Sequence, residues 1–309
     1  MLLTFRRLIA FLGACICAMT ALGAPRADHV FIISIDGGKP AVIQQSDMPV
    51  LRQIVSEGAH TWKARTIFPS KTLPSHTSML TGVDPKKHKV LWNDWTPKKG
   101  MIRSPSVFTE AKSANLSTAM FVGKAKFRHF LVPGMVDEFG YNQDHAAEVT
   151  KVVAGQKTAV KEGTVLAKYV AQDAARYILE KKPDLCFIHF TDTDDYGHKY
   201  GWGSPQQMKA FANVDAALGV VIKAIQQAGI ASQSVVIITA DHGGHAKTHG
   251  LNTLDDMTIP WIVWGEHVRK GFTIQIPVIT YDTTATALWL LGAPLPKSLD
   301  GYPVVSAFE

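Results

Sequence analysis

Apolar and polar positions along the chain predict a repeated strand–helix unit. Short apolar or β-branched runs occur at Val30–Ile35, Thr118–Gly123, Leu185–Ile188, Val235–Ile238 and Thr258–Gly265. Runs of this length with little alternation read as strands covered on both faces of a parallel sheet. Helical signals lie between them. Pro40 opens a predicted helix through Glu57 with Gly58 as its stop, and Pro74 stands near the start of one that ends by Gly82. Ser104–Ala114 also reads as helix. Gly163–Lys182 reads as a long amphipathic helix with Val165, Leu166, Tyr169, Ile178 and Leu179 inward. Pro205–Ala228 closes at Gly229, and a helix capped by Asp282 runs through Leu291 to Gly292. Strands alternating with helices predict an α/β fold, a three-layer α/β/α arrangement around a mostly parallel central sheet. Residues 124–160 have a weak pattern and read as an insertion over the sheet.

The polar residues that end these runs carry the candidate chemistry. Ligands of α/β sheets bind in the crevice outside the carboxyl ends of the strands. Val30–Ile35 runs into Asp36-Gly37-Gly38, and Val235–Ile238 into Thr239-Ala240-Asp241-His242-Gly243-Gly244. The glycines allow a sharp turn that brings His245 or His249 back towards Asp241 and His242. Leu185–Ile188 leads to Asp192, Asp194 and Asp195, followed by His198. Asp194 and His198 are spaced to share one side of a helical turn. Three carboxylates so close repel one another unless a cation is present. Carboxylate and imidazole together suit a divalent metal such as zinc. Thr72 falls just before the first turn of the helix that contains Pro74. A plain N-cap accounts for a threonine there; so does a nucleophile whose hydroxyl is activated by a metal. Asn93, in a polar and aromatic stretch, is a candidate donor to an anionic oxygen.

Composition narrows the setting. The chain has 309 residues and a net charge of +6, with its lysines and arginines scattered. No basic stripe for a nucleic-acid duplex is present, although a positive balance favours a small anionic substrate. Residues 1–24 read as a signal peptide: Arg6-Arg7, an uncharged apolar run from Leu8 to Leu22, then small residues ending at Ala24. Leu12-Gly13-Ala14-Cys15 is a second-ranked, lipoprotein-like alternative. The apolar run is short for a membrane span, so the expectation is an exported protein, periplasmic or secreted, with no stable span after cleavage. Residues 25–309 are expected to form one hydrolase domain. Cys186 is the one cysteine beyond the signal segment and lies in an apolar run. It reads as a small core residue.

These segments together resemble the alkaline phosphatase superfamily, and within it the type I phosphodiesterase / nucleotide pyrophosphatase family. The resemblance rests on Ile35-Asp36-Gly37, on Phe68 through His76 around Thr72, and on His88 through Asn93. It rests also on Asp194-x-x-Gly197-His198 and on Asp241-His242-Gly243 with His249-Gly250, all in the family's order. It implies an alkaline-phosphatase-like fold and two divalent ions, zinc by expectation. One would be held by Asp194, His198 and His249. The other would be held by Asp36, Asp241, His242 and the Thr72 hydroxyl. Thr72 would form a covalent phospho-threonine, with Asn93 and the Leu73 N–H holding non-bridging oxygens. The implied activity is hydrolysis of phosphodiester or pyrophosphate bonds in a small phosphate ester or nucleotide. A phosphomonoesterase or phosphonate hydrolase on the same site is the alternative, and a non-catalytic periplasmic metal- or anion-binding protein is a weaker one. Leu73 stands where the family often has an aromatic residue, and Ser75 where asparagine is frequent, so nucleotide preference is the open point. His76 is expected behind Thr72, with His88 and His189 structural.

Overall fold

The computed structural model describes residues 26–153, 156–161 and 163–309. The expected signal segment lies outside the described residues. The elements in chain order are β1 (His29–Ile35), α1 (Pro40–Gln45), α2 (Pro49–Glu57), β2 (Ala59–Arg65), α3 (Thr72–Thr81), α4 (Pro85–His88) and α5 (Val107–Ser113). They continue as β3 (Thr118–Val122), β4 (Glu138–Gly140), the hairpin β5 (Glu148–Val153) and β6 (Gln156–Lys161), α6 (Ala167–Lys181), β7 (Leu185–Phe190) and α7 (Asp192–Tyr200). The last are α8 (Pro205–Gln227), β8 (Ser234–Thr239), α9 (Leu254–Met257), β9 (Thr258–Gly265), β10 (Phe272–Thr273) and α10 (Asp282–Leu290).

Eight strands form one sheet in the order β10-β2-β9-β8-β1-β7-β3-β4. β9 pairs antiparallel with both β2 and β8, while β1, β7, β8, β3 and β4 pair parallel. The mostly parallel sheet expected from the apolar runs is therefore present. Helices pack on both faces. α1, α2, α6 and α8 contact one another and β2, β3, β7 and β9, while α3, α5 and α10 form a second contacting group against β1 and β3. This two-sided cover explains why β1 beyond His29, and all of β7 and β8, are buried along their length.

Two helices differ from expectation. The 40–57 helix is broken at Ser46–Met48, because Pro49 lacks an N–H and pushes the residue before it out of helical geometry. α6 begins only at Ala167, so Val165 precedes it. Its buried stripe is Val170, Ala171, Ala174, Ala175 and Ile178, and Leu166 and Leu179 face outward. Cys186 is buried in β7 as expected. The insertion expected at 124–160 resolves, among its described residues, into a short 3₁₀ helix (Ala125–Phe130), the edge strand β4 and the β5–β6 hairpin.

Candidate active site

Parallel alignment puts the carboxyl ends of β1, β7 and β8 side by side, and the candidate residues emerge there. Asp36 follows β1 directly, Asp194 lies in the first turn of α7 after β7, and Asp241 follows β8. Thr72 is reached differently. It is the first residue of α3, several positions past the end of β2, so a helix start and not a strand end presents it. Gly37 makes the turn after Asp36 at a φ of 69°, and a Cβ there would lie 3.2 Å from the Asp194 Cα. Only glycine meets both demands without strain.

Two groups of side chains could each hold a metal ion: Asp36, Asp241 and His242, and Asp194, His198 and His249. Within each group the ligand atoms lie within 4.8 Å of one another. The two groups adjoin, since the His242 and His249 rings stack at 3.6 Å between centroids. The imidazoles are oriented from behind. Nδ1 of His242 donates to the Gly243 carbonyl at 2.9 Å, that of His249 to Ser70 at 2.8 Å, and that of His198 to Lys247 at 3.0 Å. A carbonyl can only accept, so each Nε2 keeps its lone pair free for a cation. Within these two groups, four ligand atoms are buried with no hydrogen-bond partner: Asp36 Oδ1, Asp194 Oδ1, Asp241 Oδ2 and His242 Nε2. Orphaned polar atoms cost free energy singly. Four converging on one point fit a site built for divalent cations.

Charge at the site follows from burial. Burial pushes the Asp36 carboxyl up, but the Lys124 ammonium and the His189 hydrogen bond outweigh it and hold Asp36 well below the usual range. Asp241 is raised well above that range by burial and by the charges of Asp36 and Asp194. Burial, with His242 second, pulls His249 down to about 3. The imidazoles of His249 and His242 are thus neutral, as ligands must be.

The start of α3 is bolted to this cluster. His76 Nδ1 bonds the Thr72 carbonyl at 2.8 Å and lies 3.5 Å from Asp241 Oδ2, while its Nε2 meets Ser34 Oγ at 2.8 Å. Ser75 Oγ donates to the Asp241 carbonyl at 2.6 Å, which gives the serine at that position a clear task. The Leu73 N–H was expected to face substrate. Instead it donates to Asn93 Oδ1 at 2.8 Å. That bond turns the Asn93 amide so that its NH₂ is the donor left for an anionic oxygen.

The alternatives lie elsewhere. His245 bonds Asp256 Oδ1 at 2.7 Å, and Asp192 accepts the Ala167 N–H at 2.7 Å. Asp195 is hydrogen-bonded to the Thr164 side chain. Two residues have roles the sequence reading did not give them. His189 Nε2 lies 2.9 Å from Asp36 Oδ2, so it orients that carboxylate as well as filling the core. Lys124 Nζ bridges Asp36 Oδ2 at 2.7 Å and Asp194 Oδ2 at 2.6 Å. Its signal was available: Lys124 stands just past β3, at the same sheet edge as the acids and histidines.

Residues 30–280 match the sequence profile of the type I phosphodiesterase / nucleotide pyrophosphatase family. The chain belongs to this family. Human ectonucleotide pyrophosphatase/phosphodiesterase family member 5 is 22% identical over 246 residues, covering 76% of this chain and 49% of that protein. Mouse family member 7 is 26% identical over 248 residues, with 76% and 53% covered. The chain thus spans about half the length of these curated relatives. Among solved structures, an inactive variant of mouse family member 5 in complex with AMP superposes with a TM-score of 0.70 at 15% identity, covering 91% of this chain and 100% of that one. A 2-O glycosaminoglycan sulfatase superposes at 0.69 and 14% identity, covering 91% and 74%. These superpositions show the alkaline-phosphatase-like fold. Family membership makes metal dependence the expectation that the two ligand groups meet.

Proposed function

We propose that the chain is a metal-dependent hydrolase of phosphate esters, acting on phosphodiester or pyrophosphate bonds through Thr72. The observation that carries this reading is the convergence of four unpartnered buried ligand atoms, on Asp36, Asp194, Asp241 and His242, beside a helix start that presents Thr72. Asp194, His198 and His249 would hold one divalent ion. Asp36, Asp241, His242 and the Thr72 hydroxyl would hold the other. Mixed nitrogen and oxygen donors of this kind suit zinc. When bound, the ions supply Lewis-acid polarisation of the phosphoryl oxygens and lower the pKa of a bound hydroxyl or water.

The chain's own residues do the rest. Thr72 Oγ gives its proton to solvent and bonds to phosphorus as the bond from phosphorus to the leaving-group oxygen breaks, that oxygen departing with the bonding pair and taking up a proton from solvent. Water then cleaves the phospho-threonine, returning the hydroxyl and releasing the phosphoryl product. The N-terminus of α3 favours negative charge on the group being transferred. The Asn93 amide donates to a non-bridging oxygen.

A phosphomonoesterase or phosphonate hydrolase at the same site is the second reading. It is favoured by Leu73, which is fully buried and offers no surface for a nucleobase. The basic, apolar and small-residue segments of residues 1–24 support export, which N-terminal sequencing of the mature protein would test by a start near Pro25. For the reaction, Thr72→Ala is expected to keep its metal and lose on the order of 10³-fold or more in kcat on a nitrophenyl diester. A folded Thr72→Ala protein with full turnover would end this reading.

A further inference from the structure

Scattered as the lysines and arginines are over the whole chain, six of the 32 fall between Lys86 and Arg103, against a single acid, Asp94. Six cations less one acid leave +5 of the chain's net +6, so everything outside this stretch sums to +1. All six cations are exposed. Two large apolar side chains stand out among them, Leu91 at 58% exposure and Met101 at 41%. Lys87 is paired with Asp300. Among the described residues Lys86, Lys89, Lys98 and Arg103 make no ion pair.

The stretch is a fixed platform. Val90 and Ile102 are buried and pin it to the core. His88 accepts the Val90 N–H on Nδ1 at 3.0 Å and donates from Nε2 to Ser78 Oγ at 3.0 Å. His129 gathers the remainder. Its Nδ1 donates to the Gly100 carbonyl at 2.6 Å, and its Nε2 accepts the Trp92 indole N–H at 3.3 Å and the Thr96 N–H at 3.1 Å. Its carbonyl accepts the Ile102 N–H at 2.8 Å. The two basic runs are neighbours on this platform. Lys99 Nζ lies 5.0 Å from the centre of the Trp92 ring, and Lys89 is three residues from Trp92, at most about 11 Å of chain.

The combination selects among partners. A polyanion in water uses the charges alone and leaves Leu91 and Met101 wet. An anionic bilayer uses both, since lipid phosphates face the cations and acyl chains lie just below for the apolar side chains. The half-buried indoles of Trp92 and Trp95 suit the same headgroup level. Holding the backbone rigid before contact lowers the ordering cost of binding.

We propose that the outward face of residues 86–103 docks the protein on an anionic phospholipid surface, with the cations on lipid phosphates and Leu91 and Met101 inserted beneath them. This goes beyond the phosphoryl-transfer reading and does not depend on it. Asn93 lies within the same stretch and is hydrogen-bonded to the Leu73 N–H beside Thr72, so the docked face adjoins the candidate active site.

The test is co-sedimentation of the purified mature protein with vesicles of phosphatidylcholine alone or mixed with phosphatidylglycerol. Wild type is expected to bind the mixed vesicles, to leave the neutral ones, and to be released as salt is raised. Replacing the four unpaired cations together, as Lys86→Gln, Lys89→Gln, Lys98→Gln and Arg103→Gln, is expected to weaken binding on the order of 10²-fold. Leu91→Ser with Met101→Ser is expected to weaken it about tenfold with all charges kept. Both variants touch only exposed side chains, and unchanged thermal unfolding would show that each is folded. A folded wild-type protein that ignores phosphatidylglycerol vesicles, or charge variants that bind them as wild type does, would overturn the proposal. So would vesicle binding indifferent to Leu91→Ser with Met101→Ser and matched by binding to heparin, which would make the face a site for soluble polyanions.

Discussion

At the scale of single residues, the site depends on what stands behind each ligand. His198, His242 and His249 all spend Nδ1 on a backbone carbonyl, which fixes both tautomer and ring plane. Asn93 is held by the Leu73 N–H in the same manner. Asn93→Ala removes a pre-aimed donor and frees an N–H that would have to rotate to replace it. The expected result is a kcat lower by about 10²-fold with metal content unchanged. A steady-state kcat close to wild type would rule out this role. His88 makes a different prediction. Its Nδ1 accepts the Val90 N–H at 3.0 Å, and burial pulls its pKa down to about 4. The unfolded chain binds a proton on this imidazole below about 6.5, while the folded chain does so only near 4. His88 therefore costs no stability at neutral pH and destabilises progressively as pH falls from about 6.5 to about 4. The loss should reach roughly 1–3 kcal/mol, and urea unfolding of His88→Gln should show a shallower decline over that window. Parallel pH profiles for the two proteins would contradict it.

Elements matter through where they start and stop. β1, β7 and β8 end together, so their next residues share one crevice. The segment from Gly243 to Leu251 is the least regular part of the site, and it delivers His249. Asp256 holds it, accepting from His245 Nδ1 with one oxygen and from the Leu251 N–H with the other. Gly243 lets it pass beneath α9, since a Cβ there would meet the Asp255 carbonyl oxygen at 2.0 Å. Gly243→Ala should cost roughly 1–3 kcal/mol of stability and weaken metal binding at the group containing His249, read by thermal unfolding with and without chelator. A chelator effect equal to wild type would show that the loop tolerates the shift. What the sequence revealed of these elements followed their physics. Doubly covered strands appear as unbroken apolar runs, and β1, β7, β8 and β9 were legible for that reason. β2, with His60, Trp62, Lys63 and Arg65, presents no such run, because its partly exposed positions relax the demand for apolar residues. β4 and β10 are too short to leave a pattern. The acids and histidines of the site stood out because clustered like charges need a cation. Lys124 and His189 act through those residues: the place of Lys124 just past β3 is a local sign of its role, whereas His189 lies inside an apolar strand and carries none.

At the scale of the molecule, helices on both faces leave the carboxyl edge of the sheet as the crevice where ligand chemistry collects. Among the described residues no helix is long and apolar enough to cross a membrane. The crevice holds three buried carboxylates, with Lys124 the lysine that reaches two of them. Folding this charge inward is unfavourable without further cations, so metal binding and stability are expected to be linked. The most direct test of the account is the number of divalent ions bound per chain at equilibrium, measured by elemental analysis after dialysis against zinc. Wild type is expected to bind two, Asp194→Asn to keep only the ion at Asp36, Asp241 and His242, and Thr72→Ala to keep both. A folded wild-type chain that binds none, or an Asp194→Asn protein with the same metal content as wild type, would contradict it.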